Sequence, residues 1–285
     1  MKRKLEISEL IFKIISYTCL TVFALCCLYP FVYAVAASIS GREAVEYSRV
    51  VLFPMDIQFE AFSEMFNNNM FWNAYTNTLF LTFYGTIWAL FFSILGGYAL
   101  SKKRLLFRRA FNFFLVFTMW FSAGIVPQYL NYIQTQKVFS AFGITDDKWL
   151  VVIAMGMAAM NIILLRNAFE GVPSEIEEAA IVDGAGYFKV YHKIILPMIK
   201  PALATVAILA FQSVWNNTET STMYTNKESM RTLTFYMSTL SSNTNSVAGQ
   251  GMAAASSLIM FLPNLILFIL CQSKVMNTMA HSGIK

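Results

Sequence analysis

One stretch of this sequence has residue types and spacing that suggest a defined task. Residues 166–201 read RNAFEGVPSEIEEAAIVDGAGYFKVYHKIILPMIKP. Gly171 and Pro173 break the chain, and Ser174 with Glu177 three residues on has capping-box spacing, so a helix starts at Pro173 or Ser174. Glu175, Glu177 and Glu178 fall in its first turns, where carboxylates complement the positive end of the helix dipole. Ile176, Ala179, Ala180 and Asp183 share one face at helical period. Gly184 and Gly186 allow a sharp turn. A second helix, about 187–195, sets Tyr187, Val190, Tyr191 and Ile194 on one face until Pro197 ends it, and Pro201 begins the next apolar run. The chemistry on offer is docking and not catalysis. The only histidines are His192 and His281, no nucleophile–base pair is spaced for covalent chemistry, and no G-x-x-x-x-G-K-[ST] loop is present to cradle phosphates. A small amphipathic helix–turn–helix without a core of its own either packs on neighbouring helices or seats in a partner protein.

The elements that must position this loop are apolar. The chain has 285 residues, 57% hydrophobic and only 13% charged, against about 25% charged in an ordinary soluble domain. Six apolar segments stand out, at about 11–37, 74–100, 111–133, 149–166, 201–219 and 251–273, each near the roughly 20 residues a membrane helix needs. Backbone groups in lipid must be satisfied internally, so helices follow, and the runs are too continuous for the alternating strands of an outer-membrane barrel. The first run is longer than the roughly 7–15 apolar residues of a signal peptide and is read as an uncleaved span, with cleavage at Ala34-Val35-Ala36 as the alternative. The expected fold is all-α, six transmembrane helices in one domain over 1–285, with the loop 167–200 on one side. Of the 21 Lys and Arg, fifteen fall on the N-terminal side of the membrane, including Lys102, Lys103, Arg104, Arg108 and Arg109, and six on the other. The positive-inside rule then puts both termini and the loop in the cytoplasm.

Cys19, Cys26, Cys27 and Cys271 all sit in apolar runs at spacings that make neither a metal site nor a disulfide framework, and are read as small buried hydrophobes. No Asp, Glu, Lys or Arg lies near the middle of a span, which argues against an ion-coupled carrier or a channel; no catalytic constellation supports a membrane-embedded enzyme. Side chains with aromatic faces or amide and hydroxyl groups that could meet a sugar are Tyr75, Asn77, Tyr84, Trp88, Trp120, Asn161, Gln212, Trp215 and Asn216. Span-end aromatics also serve as interface anchors and amides as bridges between helices. Asn77, Gln212, Trp215 and Asn216 are the favoured set.

The motif Glu178-Ala179-Ala180, three residues, Gly184, nine residues, Ile194-x-Leu196-Pro197 resembles the EAA motif of binding-protein-dependent ABC importer permeases and lies in the expected loop before the penultimate span. Leu52-Phe53-Pro54, Asn77-Thr78-Leu79 and Trp215-Asn216 resemble the carbohydrate-uptake branch, the maltose-type second permease among them. Residues 121–130 (FSAGIVPQYL) and 161–167 (NIILLRN) resemble a sub-branch for polysaccharide or aldouronate uptake, although Ala123 stands where that branch usually has Gly. The tail His281-Ser282-Gly283-Ile284-Lys285 only loosely matches that of the maltose-type permease. The resemblance implies a type I importer permease in a bacterial cytoplasmic membrane, paired with a second permease as a heterodimer. It implies two ATPase subunits carrying ATP and Mg, an external solute-binding lipoprotein, an oligosaccharide as cargo, and no nucleic acid. No cofactor is implied on this chain. It assigns ATPase coupling to Glu178, Ala179, Ala180, Asp183, Gly184, Ile194, Leu196 and Pro197. A phosphorylated or amino sugar stays open as cargo.

Overall fold

The fold was analysed in a computed structural model, which describes residues 7–121, 123–143, 147–217, 230–242 and 247–282. Residues 220–229 and 243–246 of the outer loop, Lys2, Arg3, Lys4 and the terminal residues 283–285 lie outside the described residues. Every regular element described is helical: α1 (Ile7–Ser38), α2 (Arg42–Glu46), α3 (Glu60–Phe66), α4 (Asn69–Ser101), α5 (Arg108–Trp120), α6 (Ile125–Ala141), α7 (Asp147–Ala154), α8 (Ala159–Glu170), α9 (Ser174–Val182), α10 (Tyr187–Val190), α11 (Leu196–Met198), α12 (Lys200–Trp215), α13 (Leu233–Ser242) and α14 (Val247–Ser282). A π-helical turn, Tyr191–Ile195, joins α10 to α11.

Three of the six expected spans are unbroken helices: Glu9–Ser38, Asn69–Ser101 and Gly251–Gln272. The other three are not. Within 149–166, Lys148–Ala154 and Ala159–Glu170 meet at 49°, and 201–219 is α12, which bends by 77° from the loop helices Tyr187–Met198 before it. The expected continuous helix 111–133 is instead α5 followed by α6. Gly124 caps α6 with φ 81°, a left-handed backbone that glycine adopts without penalty, and Pro127 sits in the first turn of α6, where its missing N–H costs nothing. Gly156 in the α7–α8 break lies under Trp88, whose Cδ1 would stand 2.4 Å from an added Cβ.

The chain divides into two compact units, residues 1–72 with 236–262, and residues 73–235 with 263–285. In the first, the connection after α1 folds back on itself: Gln58 N donates to Ile39 O at 2.9 Å, and Gly41 N to Met55 O at 2.9 Å. Ala36, Ala44, Val45 and Val50 form its small core, Phe31 packs on Phe261 at 4.3 Å between ring centroids, and Ser256 donates to Met65 Sδ at 3.3 Å. Most of α1 is exposed along its apolar length. Cys19, Cys26 and Cys27 are exposed with it and Cys271 is half-buried, which corrects the expectation that they are buried. In a helix meant for lipid, the apolar surface points outward and the chain's own interior takes little of it.

The second unit is held by close helix packing. Gly96 and Gly97 of α4 let α8 approach until an added Cβ at 97 would stand 2.9 Å from Leu165 Cβ and 3.0 Å from Arg166 N; small residues at such crossings are how membrane helices come together. Leu81, Tyr132, Leu150, Val151, Val152, Val214 and Met230 form one cluster, and Leu165, Phe169, Val190, Ile195, Ile199 and Val206 another. Gly97→Ala is expected to overpack the α4–α8 crossing and cost about 1–3 kcal/mol, read as a lower melting temperature of the purified chain. Gly186→Ala, with no atom within 4 Å of the added Cβ, is the control and leaves melting unchanged.

Candidate functional site

The loop 171–198 is two helices joined by a glycine turn. α9 opens at Pro173 (φ −59°, ψ 132°), and no side chain caps it. The Ser174–Glu177 capping box does not form, because Ser174 is already helical and Glu177 pairs with Lys102. Charge substitutes for the cap: Glu175 and Glu177 lie in the first turn, beside the positive dipole end.

The other end of α9 explains the Ala180-to-Gly184 spacing. Ala185 N donates to Ala180 O and Gly184 N to Ile181 O, both at 3.0 Å. These are the two bonds of a Schellman C-cap, which needs a left-handed residue just past the helix. Gly184 supplies it with φ 83°. An added Cβ at 184 meets no atom of the described residues within 4 Å, so the requirement among them is conformational and not steric.

The second half of the motif is an anchor. Val190 and Ile195 are buried, and Ile194, Leu196, Tyr191, Ala180, Ile181 and Ala185 pack against their cluster with α8 and α12. Tyr187, expected on the same face as Val190, is 72% exposed. Pro197 does not end the second helix. Its missing N–H breaks the regular ladder, and the π turn Tyr191–Ile195 absorbs the mismatch so that the chain stays helical to Met198. Burial raises the Tyr191 hydroxyl pKa above its usual value, and the neighbouring Tyr98 raises it further.

One charged strap ties the loop to the end of α4, and a second ties α8, which leads into the loop, to α5. Lys102, just past α4, pairs with Glu177 of α9 and lies 4.5 Å above the Tyr98 ring. Tyr98 packs on Phe169 at 5.3 Å and on Tyr191 at 4.6 Å between centroids. Arg108 of α5 pairs with Glu170 at the end of α8 and donates from Nε to Leu100 O at 2.7 Å. Arg166 adds a hydrogen bond to Asn112 Oδ1 at 2.6 Å. In the sequence these cations stand out only as topology signals, and the one hint of pairing is a carboxylate-rich loop beside a cation-rich one.

The outward side of the loop is exposed. Glu178, Ala179 and Asp183 are exposed, Val182 is 86% exposed and Phe188 78%. The site is therefore an acidic and apolar face presented outward on a frame locked to α4, α5, α8 and α12.

The favoured sugar-contact residues divide. Asn77 is buried, and its Nδ2 donates to Met230 O at 2.8 Å and Arg231 O at 3.3 Å. Beside it Thr78 Oγ1 donates to Ala74 O and accepts from Leu233 N, both at 2.8 Å. Trp215 is buried and stacks on Phe211 at 5.8 Å. Both belong to the internal packing of this unit, which removes them from direct contact in this conformation. Gln212 and Asn216 are exposed.

The comparisons agree with this architecture. A family model described as "Binding-protein-dependent transport system inner membrane component" matches residues 7–272. A polygalacturonan/rhamnogalacturonan transport system permease protein, YtcP of Bacillus subtilis (strain 168), is 32% identical over 216 residues, covering 76% of this chain and 73% of its own length. The melibiose/raffinose/stachyose import permease protein MelC of the same organism is 25% identical over 90% of this chain and 91% of its own. Among solved structures, a chain of a bacterial ABC transporter involved in the import of the acidic polysaccharide alginate superposes with a TM-score of 0.81 at 34% identity, covering 95% of this chain and 99% of that one.

Gly184→Ala forces a left-handed alanine, at roughly 1–2 kcal/mol, and Gly184→Asn less, since Asn tolerates that region. Amide exchange across 174–190 is expected to quicken in the order Gly, Asn, Ala.

Proposed function

This chain belongs to the family of binding-protein-dependent transport system inner membrane components, and on that premise we propose that it is the permease subunit through which an ABC importer takes up an oligosaccharide. The fold is that of a type I importer permease. One observation supports the reading most: among the described residues none covers the outward face of α9, while the rest of the loop packs on α4, α8 and α12. The names of the relatives support a polysaccharide-derived cargo.

The whole chain acts as one permease domain beside a second, different permease. Both termini and the 167–200 loop face the cytoplasm. An external binding lipoprotein delivers the sugar. ATP and Mg bind to two ATPase subunits, since this sequence has no phosphate-cradling loop of its own. Glu178, Ala179, Asp183 and the Gly184 turn seat in a cleft of one ATPase. Ile194, Leu196 and Pro197, with Ala180, join the seated helix to α8 and α12. ATP-driven closure of the ATPase pair moves α9. The Lys102 and Arg108 straps pass that motion to α4 and α5, and the pathway opens in turn to each side. Gln212 and Asn216 are the side chains of the favoured set left to meet the sugar.

In the assembled importer, Gly184→Asp is expected to abolish most uptake at normal chain levels while the ATPases still hydrolyse ATP, because a side chain there meets the ATPase cleft. Lys102→Glu and Glu177→Lys singly are expected to lower sugar imported per ATP severalfold. The double exchange restores it. Full uptake by Gly184→Asp in vesicles would refute the docking.

A further inference from the structure

The connection between α4 and α5 has two faces of opposite use. Five cations lie in 102–109. Lys102 and Arg108 turn inward and are paired, with Glu177 and Glu170. Lys103, Arg104 and Arg109 are exposed, and none makes an ion pair or hydrogen bond with a described residue. Between them Leu106 is 73% exposed and Phe107 72%. The connection is a tight reversal, with Leu105 N donating to Lys102 O at 3.2 Å and Arg108 N to Leu105 O at 3.3 Å. Phe107 sits in the left-handed region at φ 56°, a conformation that costs a bulky residue energy and that orients Arg108 toward Glu170 while its own ring stays out.

We infer that this outer face is a docking surface for anionic phospholipid headgroups, with Lys103, Arg104 and Arg109 meeting the phosphates and Leu106 and Phe107 entering the acyl boundary. Charge complementarity selects the occupant. Three unpaired cations flank two exposed apolar side chains at the point where a membrane helix ends and the next returns, which is the pattern of an interfacial anchor. A lipid seat here would hold the ends of α4 and α5, the same ends that carry the two straps. The inference rests on the cytoplasmic orientation proposed above, where the anionic leaflet lies.

The test titrates the full chain in detergent with phosphatidylglycerol and, separately, phosphatidylcholine, counting bound lipid by native mass spectrometry. The wild-type chain is expected to prefer phosphatidylglycerol. The Lys103→Gln/Arg104→Gln/Arg109→Gln variant should lose that preference by about a hundredfold, at roughly fivefold per cation, with phosphatidylcholine binding unchanged. Lys137→Gln, on the other side of the membrane, keeps the preference. An unchanged preference in the triple variant overturns the inference. Protection of Arg104→Cys from maleimide by added ATPase subunits, without lipid and with the native cysteines replaced by alanine, overturns it too and gives the patch to a protein partner. In vesicles, labelling of Arg104→Cys by an impermeant maleimide only from the outer side would instead refute the orientation, an outcome separate from the lipid titration.

Discussion

The packing of the 187–198 segment onto Tyr98, Phe169 and α12 is the interaction on which the rest depends. A nine-residue helix such as α9 is too short to be stable alone in water. It exists because Val190 and Ile195 bury themselves in a cluster shared with α8 and α12, and because Lys102 bridges Glu177 from above the Tyr98 ring. These side chains turn a loop into a rigid attachment. A partly exposed ion pair is worth only about 0.2–1 kcal/mol, so the apolar cluster supplies the strength and the charges set the angle at which α9 stands.

Much of this was legible in the sequence. The apolar runs marked the helices in their order, three of them long enough to cross a membrane unbroken, and Gly184 marked the sharp turn that ends α9, where the Schellman bonds form. Less legible were the breaks. Gly124 inside an apolar run was a usable signal, while the break before α12 falls at Ile199, with Pro201 in the first turn of α12, where its missing N–H costs nothing. Hydropathy averages over a window and cannot register one absent hydrogen bond. The capping box illustrates the opposite case: Ser174 and Glu177 have the right spacing, but tertiary pairing with Lys102 takes the carboxylate.

Which polar residues face a pathway is harder still to read. Asn77 has the type expected of a sugar contact, yet with Thr78 it holds the backbone of 230–233. A buried amide that satisfies main-chain groups and one that meets a ligand look alike in one dimension. The motif divides in a similar way, its first half exposed and its second half packed, although the sequence lists them as one pattern. The outward face of α9 suits docking, and the inward anchor makes docking mechanically useful.

The central claim is that α9 and α4 move as one piece. Spin labels at Val182→Cys and Leu95→Cys, in an importer otherwise free of cysteine, would report their separation by pulsed electron resonance without nucleotide and with ATP trapped. The account predicts an unchanged distance between these two positions while a pair across the two ATPases shortens. A shift between α9 and α4 on ATP binding would contradict it, because the loop would then flex and not transmit.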